Sequence, residues 1–228
     1  MSIKFYKVGG YVRDMQLGVK SKDIDYAVEA ASYQDMVDYI AAHGKIWQER
    51  PQYFTVRAKL NGEDCDYVLC RKEGAYSDGR RPDSVEPGTI FDDLARRDFT
   101  CNAMALDENG VLLDPHDGQK DLADRILRCV GSAADRFNED YLRIIRALRF
   151  SIMKSMTLDR SIVDCLYDAR MAEKLASLPV ERIRDELYRC FTYDTLKTLR
   201  VLNSYPYIRD MLFRRGSKLV LIPTIDNG

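Results

Sequence analysis

The residues whose types and spacing could do chemistry lie near the start of the chain. An apolar segment ends in Gly9 and Gly10, Arg13 follows within one helical turn, and Asp23 and Asp25 come soon afterwards. Two glycines let backbone N–H groups approach a phosphate closely, and an arginine adds charge-assisted hydrogen bonds. Because residues two apart in a strand point the same way, Asp23 and Asp25 are expected to share one face. Such an oxygen-only carboxylate pair suits Mg²⁺.

A β-hairpin is predicted to place a further carboxylate beside this pair. Residues 53–60 and 63–70 read as two strands, and Asn61 and Gly62 between them favour the two positive φ angles of a type I′ turn. Asp66 lies in the second strand. Two interpretations remain open here, a third acidic residue of the site and an edge aspartate that only faces solvent.

A third group of charged residues ends a predicted helix. Arg96 and Arg97 are adjacent, and their guanidinium groups match phosphate oxygens bidentately. Asp98 and Asn102 are expected to hold the following turn by local hydrogen bonds. The alternative is a helix C-terminus that favours cations, an effect of only ~0.3–1 kcal/mol. The preceding segment, 72–87, has no periodicity and is predicted to be a mobile loop.

The second half of the chain is predicted to be helical. Asn138 is a good N-cap for a helix ending at Met153, with Asp140, Arg143 and Arg146 on the face opposite an apolar stripe. An exposed ion pair worth a few tenths of a kcal/mol is the alternative interpretation of this polar face. Further helices are predicted over 161–169, 179–191 and 196–202.

In this order, the motifs resemble those of the polymerase-β-type nucleotidyltransferases, within them the class II tRNA nucleotidyltransferase (CCA-adding) and bacterial poly(A) polymerase branch. The resemblance covers roughly residues 5–190. It is incomplete at position 141, where this sequence has tyrosine and the family motif usually has proline. It implies an α/β (α+β) fold: a catalytic head with a mixed, largely antiparallel sheet over 1–130, a helical neck for base recognition over 131–205, and a tail or truncated body over 206–228.

The resemblance also implies a role for each candidate residue. Asp23, Asp25 and Asp66 would be catalytic, with Asp23 and Asp25 holding two Mg²⁺ ions. Asp140 and Arg143 would choose the incoming base. The full set of residues implied to bind the nucleotide is Gly9, Gly10, Arg13, Arg96, Arg97, Asp98, Asn102, Asp140, Arg143, Arg146 and Arg149.

The implied reaction is template-independent addition of C and A, from CTP and ATP, to the 3′ end of tRNA at its acceptor stem. Three narrower products stay open: CC addition alone, A addition alone, or poly(A) tailing. A non-catalytic RNA-binding relative of the same fold is the alternative from a different functional class.

Composition predicts a soluble cytoplasmic protein without a membrane span. Hydrophobic residues make up 46% of the 228, but no apolar run approaches the ~20 residues that a spanning helix needs. The six cysteines include no Cys-x-x-Cys pair, which disfavours a zinc site. Residues 1–140 carry a net charge of −7 and residues 141–228 one of +6, so the acidic part suits a metal site and the basic part a phosphate backbone. A homodimer is one way to compensate for a short body.

Overall fold

The computed structural model describes residues 3–21, 23–76 and 82–213. These residues form two compact units. The first contains the described residues up to 124 together with 128–131, and the second contains 125–127 and 132–213.

The first unit combines a large sheet with short helices. Its 3₁₀ turns cover Pro51–Tyr53 and Thr100–Asn102. In chain order its elements are β1 Lys4–Val8, α1 Gly10–Gln16, β2 Asp25–Glu29, α2 Tyr33–His43, β3 Gly44–Arg50, β4 Thr55–Leu60, β5 Glu63–Leu69, β6 Arg71–Glu73, β7 Val85–Pro87, α3 Ile90–Ala95, β8 Ala105–Leu106, β9 Leu112–Leu113 and α4 Gly118–Ala123.

The sheet is mixed and mostly antiparallel, as predicted. Its strand order is β3-β4-β5-β2-β1-β8-β9, and among its described strands only β2 and β5 pair in parallel. Ala27 and Val28 are neighbours in β2 but belong to different apolar clusters, because successive side chains alternate between faces. Met36 and Ile40 of α2 pack on the Val28 face, and Leu94 of α3 packs on the Ala27 face.

The predicted hairpin is confirmed. Asn61 has φ 51° and Gly62 has φ 87°, and Leu60 pairs with Glu63 across the turn. Positive φ at both central residues is what a two-residue type I′ turn requires.

Two predictions about the first unit are wrong in detail, and one strand was not predicted. Asp23 precedes β2, which begins at Asp25, so strand alternation does not place the two aspartates on one face. The segment 72–87 is not only a loop, because β6 and β7 pair with Arg71 opposite Pro87; residues 77–81 within it lie outside the described residues. The edge strand β3 was not predicted, since most of its residues are exposed and give no apolar alternation.

The second unit is helical apart from two short strands, β10 and β11, which pair in parallel. A 3₁₀ turn covers Leu175–Ser177. Its elements are β10 Ile126–Leu127, α5 Ala133–Glu139, α6 Leu142–Met153, β11 Thr157–Leu158, α7 Arg160–Leu166, α8 Ala169–Lys174, α9 Val180–Tyr193, α10 Thr195–Ser204 and α11 Pro206–Leu212. The rest of the predicted tail, 214–228, lies outside the described residues.

The helix predicted over 138–153 is in fact two helices. Ser132 caps α5 by accepting a hydrogen bond from Asp135 N, so Asn138 lies inside α5 rather than at a helix start. Asp140 is extended, with φ −143°, and its carboxylate accepts a hydrogen bond from Leu142 N at 3.0 Å where α6 begins. The predicted apolar stripe is confirmed on α6, where its members are buried: Ile144, Ile145, Leu148 and Ile152.

No helix in the described parts of the chain is both long and apolar enough to cross a membrane.

The hairpin turn gives the first prediction. Gly62→Ala is expected to lower the free energy of unfolding by about 1 kcal/mol, because an L-residue is strained at positive φ. Steric contact adds nothing, since no atom lies within 4 Å of the Cβ position. Urea denaturation measures the change. Asn61→Gly is the matched control, with a change within about 0.5 kcal/mol because glycine tolerates positive φ; equal midpoints for the two variants would contradict the turn assignment.

Candidate active site

Two carboxylates of the first unit lie side by side on one face of the sheet. Asp25 in β2 and Asp66 in β5 are direct partners in the parallel ladder, so their side chains point the same way. Tyr26 and Tyr67, the next residues along, face the apolar core instead. Asp66 Oδ1 also accepts a hydrogen bond from Arg57 Nη1 at 3.2 Å.

The electrostatics around Asp25 favour a cation. Loss of solvent and then the charge of Asp66 raise the pKa of Asp25, and Asp23 adds to this, while Arg97 and Arg57 act in the opposite direction. Asp23 precedes the strand and contributes less to this shift than Asp66 does. Crowded carboxylates are stabilised by a positive charge brought among them.

The donor set fits Mg²⁺. Among residues 3–21, 23–76 and 82–213, no group of three or more His, Cys, Asp or Glu side chains is arranged to hold a metal ion by itself. Mg²⁺ is commonly bound through only one or two carboxylates, with water and substrate phosphates completing its shell. Asp25 and Asp66 supply such oxygens.

The glycine turn lies next to the carboxylates. Val8 at the end of β1 pairs with Asp25, so the chain reaches Gly9 directly beside it. Gly9 has φ 66°, and a Cβ built on it would lie 3.1 Å from Arg97 Nη1. The positive φ favours glycine here, and a Cβ would also press against the guanidinium of Arg97.

A buried hydrogen-bond network holds the glycine turn in place. Arg13 Nη1 donates to Asn102 Oδ1 at 2.7 Å, and Asn102 Nδ2 donates to Asp98 Oδ1 at 3.1 Å. Asp98 Oδ1 also accepts a hydrogen bond from Phe99 N at 2.8 Å. The predicted hydrogen bonding between Asp98 and Asn102 is confirmed. Arg13 itself is buried, which ties α1 to this turn.

Asp93, which the sequence analysis missed, holds both arginines of the pair. Its Oδ1 accepts hydrogen bonds from Arg96 Nη2 at 2.5 Å and Arg96 Nε at 3.1 Å, and its Oδ2 accepts from Arg97 Nη2 at 2.8 Å and Arg97 Nε at 3.1 Å. Asp93 is 1% exposed. Burial opposes its ionisation, but the charges of Arg96 and Arg97 outweigh burial and lower the pKa of Asp93. The spacing of three and four residues from Asp93 is the one sequence signal for this contact.

The two arginines point to different surroundings. Arg96 Nη1 donates to Glu73 Oε1 at 3.3 Å, and the buried Glu73 also binds Arg71 at 2.7 Å. Arg97 Nη1 donates to the backbone oxygen of Asn102 at 3.2 Å and lies next to Gly9. Of the two, Arg97 is the one that the structure places at the glycine turn.

The candidate residues of the second unit are held differently from the prediction. Asp140 lies outside α6 and therefore is not on a shared helical face with Arg143 and Arg146. Glu139 is the carboxylate bound to Arg143, with Arg143 Nη1 donating to Glu139 Oε2 at 2.6 Å. Glu139 also pairs with Arg136 at 2.5 Å. The guanidinium of Arg143 is thus fixed by the last turn of α5.

Arg149 joins two helices of the second unit. Its Nε lies 2.5 Å from Glu186 Oε2 of α9, and its guanidinium carbon lies 4.9 Å from the centroid of the Phe150 ring. Desolvation lowers the pKa of Arg149, although Glu186 acts in the opposite direction. Arg146 lies 5.9 Å from the same ring. Nucleotide contacts by Arg146 and Arg149 stay predictions.

The mixed sheet, with paired carboxylates beside a glycine turn and an arginine, is the architecture of a nucleotidyltransferase head. The chain belongs to the family described as the poly A polymerase head domain, whose family model matches residues 5–128.

Relatives and solved structures agree with this membership. A CCA-adding enzyme of Oceanobacillus iheyensis is 38% identical over 187 residues, covering 82% of this chain and 45% of that protein. The crystal structure of the Bacillus stearothermophilus CCA-adding enzyme in complex with CTP has a TM-score of 0.80 at 30% identity, covering 96% of this chain and 52% of that one. A tRNA nucleotidyltransferase complexed with a primer tRNA and an incoming ATP analog has a TM-score of 0.72 at 27% identity, covering 92% and 60%.

The chain spans about half the length of the curated relatives that it matches.

The arginine clamp gives the second prediction. Asp93→Asn is expected to lower the free energy of unfolding by about 3 kcal/mol at pH 7, because two guanidinium groups lose their buried counter-charge. The pKa of Asp93 is lower in the folded state than in the unfolded chain. Its contribution is therefore present above the unfolded pKa of about 4 and is lost as the pH falls towards the folded value.

Urea denaturation between pH 3 and pH 7 checks this second prediction. The difference between the original protein and Asp93→Asn is expected to be constant above about pH 5 and to shrink below about pH 4. Asp124→Asn, at an exposed aspartate, is the matched control with little effect at any pH. A difference that does not change with pH would contradict the charge-based account.

Proposed function

We propose that the protein adds C and A nucleotides, from CTP and ATP, to the 3′ end of tRNA without a nucleic-acid template. The observation that carries the proposal is the in-register pair of Asp25 and Asp66 beside Gly9 and Arg97. Support comes from the relatives named CCA-adding enzymes and from the similar structures solved with CTP or with a primer tRNA. A cytoplasmic location stays a prediction.

The carboxylates are the proposed Mg²⁺ ligands. Asp23 and Asp25 would hold the ions, with Asp66 as the third carboxylate. Bound Mg²⁺ would supply activation of the RNA 3′-hydroxyl and neutralisation of charge on the triphosphate. The raised pKa of Asp25 is consistent with this role, because the same crowding of negative charge that favours protonation also favours a cation.

The triphosphate is proposed to bind at the glycine turn. Backbone N–H groups at Gly9 and Gly10 and the guanidinium of Arg97 are the proposed donors, and Gly9 directly follows Val8, the strand partner of Asp25. Asp93 orients Arg97 through two hydrogen bonds from Nε and Nη2, so the remaining Nη1 is directed towards Gly9. A guanidinium held in this way loses little conformational freedom when it binds a phosphate.

Base choice is proposed to rest on Asp140 and Arg143. A carboxylate accepts hydrogen bonds from an exocyclic amine, and a guanidinium donates to ring acceptors, a combination that cytosine and adenine both offer. Glu139 holds Arg143 at 2.6 Å, which fixes the direction of the donor edge. The protein itself would then serve as the template.

The product identifies the reaction. Incubating the protein with tRNA that lacks its 3′ end, or that ends in C or CC, and with one labelled nucleotide at a time, separates CCA, CC, A and poly(A) products by length. Addition of C, C and then A supports the proposal. Absence of any Mg²⁺-dependent incorporation would instead support the non-catalytic RNA-binding alternative.

Asp25 provides the third prediction. Asp25→Asn is expected to abolish nucleotide incorporation, because the pair loses a metal-binding oxygen and a negative charge. Thermal unfolding at pH 7 without metal is expected to show no loss of stability, since the raised pKa of Asp25 means that ionisation costs folding free energy above the unfolded pKa.

Mg²⁺ titration is the direct measurement for Asp25. Added Mg²⁺ is expected to raise the Tm of the original protein progressively, as the logarithm of 1 + [Mg²⁺]/Kd, and to leave the Tm of Asp25→Asn nearly unchanged. Asp124→Asn serves as the control and should respond like the original protein. An active Asp25→Asn variant would refute the metal assignment.

Arg143 provides the fourth prediction. Arg143→Ala is expected to relax discrimination between CTP, ATP and the other nucleotides by about tenfold, since a good bidentate pair is worth roughly 1–3 kcal/mol. The ratio of kcat/KM between nucleotides measures this change. Arg136→Ala is the matched control, because Arg136 shares Glu139 but is not assigned to the base. Selectivity that is equal in both variants would remove the template role of Arg143.

A further inference from the structure

One face of the sheet in the first unit is left uncovered next to the carboxylates. In β4, Val56, Ala58 and Leu60 are buried under α2, whereas Arg57 and Lys59 point to the opposite face and are exposed. Within the described residues, the apolar cluster under α3 on that opposite face draws on β1, β2 and β8 but not on β3 or β4. The face therefore stays open over the two outer strands.

The strand register makes this open face continuous with the candidate active site. Arg57 pairs with Asp66, which in turn pairs with Asp25. Lys59 pairs with Lys45 in the edge strand β3. Because neighbouring strands lie about 4.8 Å apart, the path from Asp25 to β3 is about 14 Å long. Negative charge is thus concentrated at the β2 and β5 end and positive charge at the β3 and β4 end.

An aromatic side chain completes this face. Trp47 is 52% exposed, and its Nε1 donates to Asp64 Oδ1 at 2.7 Å, which places the indole on the same side as Arg57 and Lys59. Lys45 Nζ lies 4.4 Å from the centroid of the indole ring. We call the exposed side chains Lys45, Trp47, Arg57 and Lys59 the open sheet face.

We propose that the open sheet face binds the single-stranded 3′ end of an RNA, so that the last nucleotide reaches Asp25 and Asp66. This inference rests on the proposed function, whose RNA substrate it places on the protein. Lysine and arginine side chains bind the phosphates of a single-stranded RNA, and an exposed indole offers a stacking surface for a base or ribose. In the part of the chain that the structure describes, neither Lys45 nor Lys59 forms an ion pair, and the ammonium of Lys45 instead lies over the Trp47 ring.

The polarity of the face argues for an RNA end rather than for an internal segment. Basic side chains would bind the upstream phosphates, and the acidic end of the path is where a free 3′-hydroxyl is needed. Arg57 lies between the two regions, because its 52% exposed side chain also pairs with Asp66. It can therefore bind a phosphate close to the reacting end.

A second copy of the chain is the competing occupant, since β3 is an edge strand. Exposed strand edges can pair with each other, but charged side chains on the edge oppose such pairing. Lys45, Glu49 and Arg50 are exposed along β3. These charges favour the RNA interpretation.

Trp47 is the single tryptophan of the sequence, so its fluorescence reports directly on this face. We expect a single-stranded RNA oligonucleotide ending in CC to change Trp47 emission saturably in the absence of Mg²⁺. Arg57→Ala and Lys59→Ala are each expected to reduce the slope of log K against log salt concentration by about 0.7, the value for one lost phosphate contact on a single strand. Lys120→Ala, at an exposed lysine on α4, is the matched control with an unchanged slope.

Trp47→Ala tests the stacking contribution with a fluorescently labelled RNA. Anisotropy is expected to show affinity about tenfold weaker than for the original protein. Circular dichroism spectra of all variants confirm that the fold is retained. Unchanged affinity and unchanged salt slope in Trp47→Ala, Arg57→Ala and Lys59→Ala would overturn the proposal. The proposal would also be overturned if Trp47 emission changed with protein concentration in the absence of RNA and sedimentation showed dimers. The open sheet face would then bind a second copy of the chain.

Nucleotide incorporation separates this inference from the proposed function. RNA binding at the face with no incorporation would refute the proposed function and leave the surface standing. Incorporation with an unchanged KM for RNA in Arg57→Ala and Lys59→Ala would refute the surface and leave the proposed function standing.

Discussion

The division of one buried carboxylate between two arginines is the constraint on which the candidate active site depends. Each oxygen of Asp93 takes one guanidinium, which allows Arg96 and Arg97 to stay adjacent and charged despite their mutual repulsion. Desolvating three charges is costly, and the cost is offset only because the geometry satisfies both oxygens. Since Arg96 is also bound to Glu73, Arg97 alone remains directed towards Gly9. The position of Arg97 is thus fixed by the contacts of its Nε and Nη2 atoms with Asp93.

Strand topology brings together residues that are far apart in the sequence. The antiparallel pairing of β1 with β2 places Gly9 beside Asp25, and the parallel pairing of β2 with β5 adds Asp66. Arg97 arrives from the end of α3, which packs against the same face of the sheet. The network from Arg13 through Asn102 to Asp98 then ties α1 to the turn after α3. No two of these elements would form the site alone.

Sequence patterns predicted features whose causes are local. The Asn61-Gly62 turn, the apolar stripe of α6 and the bonding of Asp98 to Asn102 all depend on residues a few positions apart, and each is confirmed. Asp93 could not be recognised in this way, because its spacing to the arginines is also that of an ordinary exposed pair and only tertiary packing buries it. The exposed strand β3 carries no apolar alternation. The break between α5 and α6 was missed because Ser132 and Asn138 are both suitable caps.

The break at Asp140 has a consequence for the geometry of the two residues proposed to select the nucleotide. Inside a continuous helix, the angle between two side chains three residues apart is set by the rotation of about 100° per residue. Here Asp140 belongs to an extended joint, and Arg143 lies in the first turn of α6 while bound to Glu139 of α5. The direction of the Asp140 carboxylate is therefore set by the extended joint, whereas that of the Arg143 guanidinium is set by its contact with Glu139. A substitution at this joint would alter the proposed base-recognition geometry while leaving both members of the pair in place.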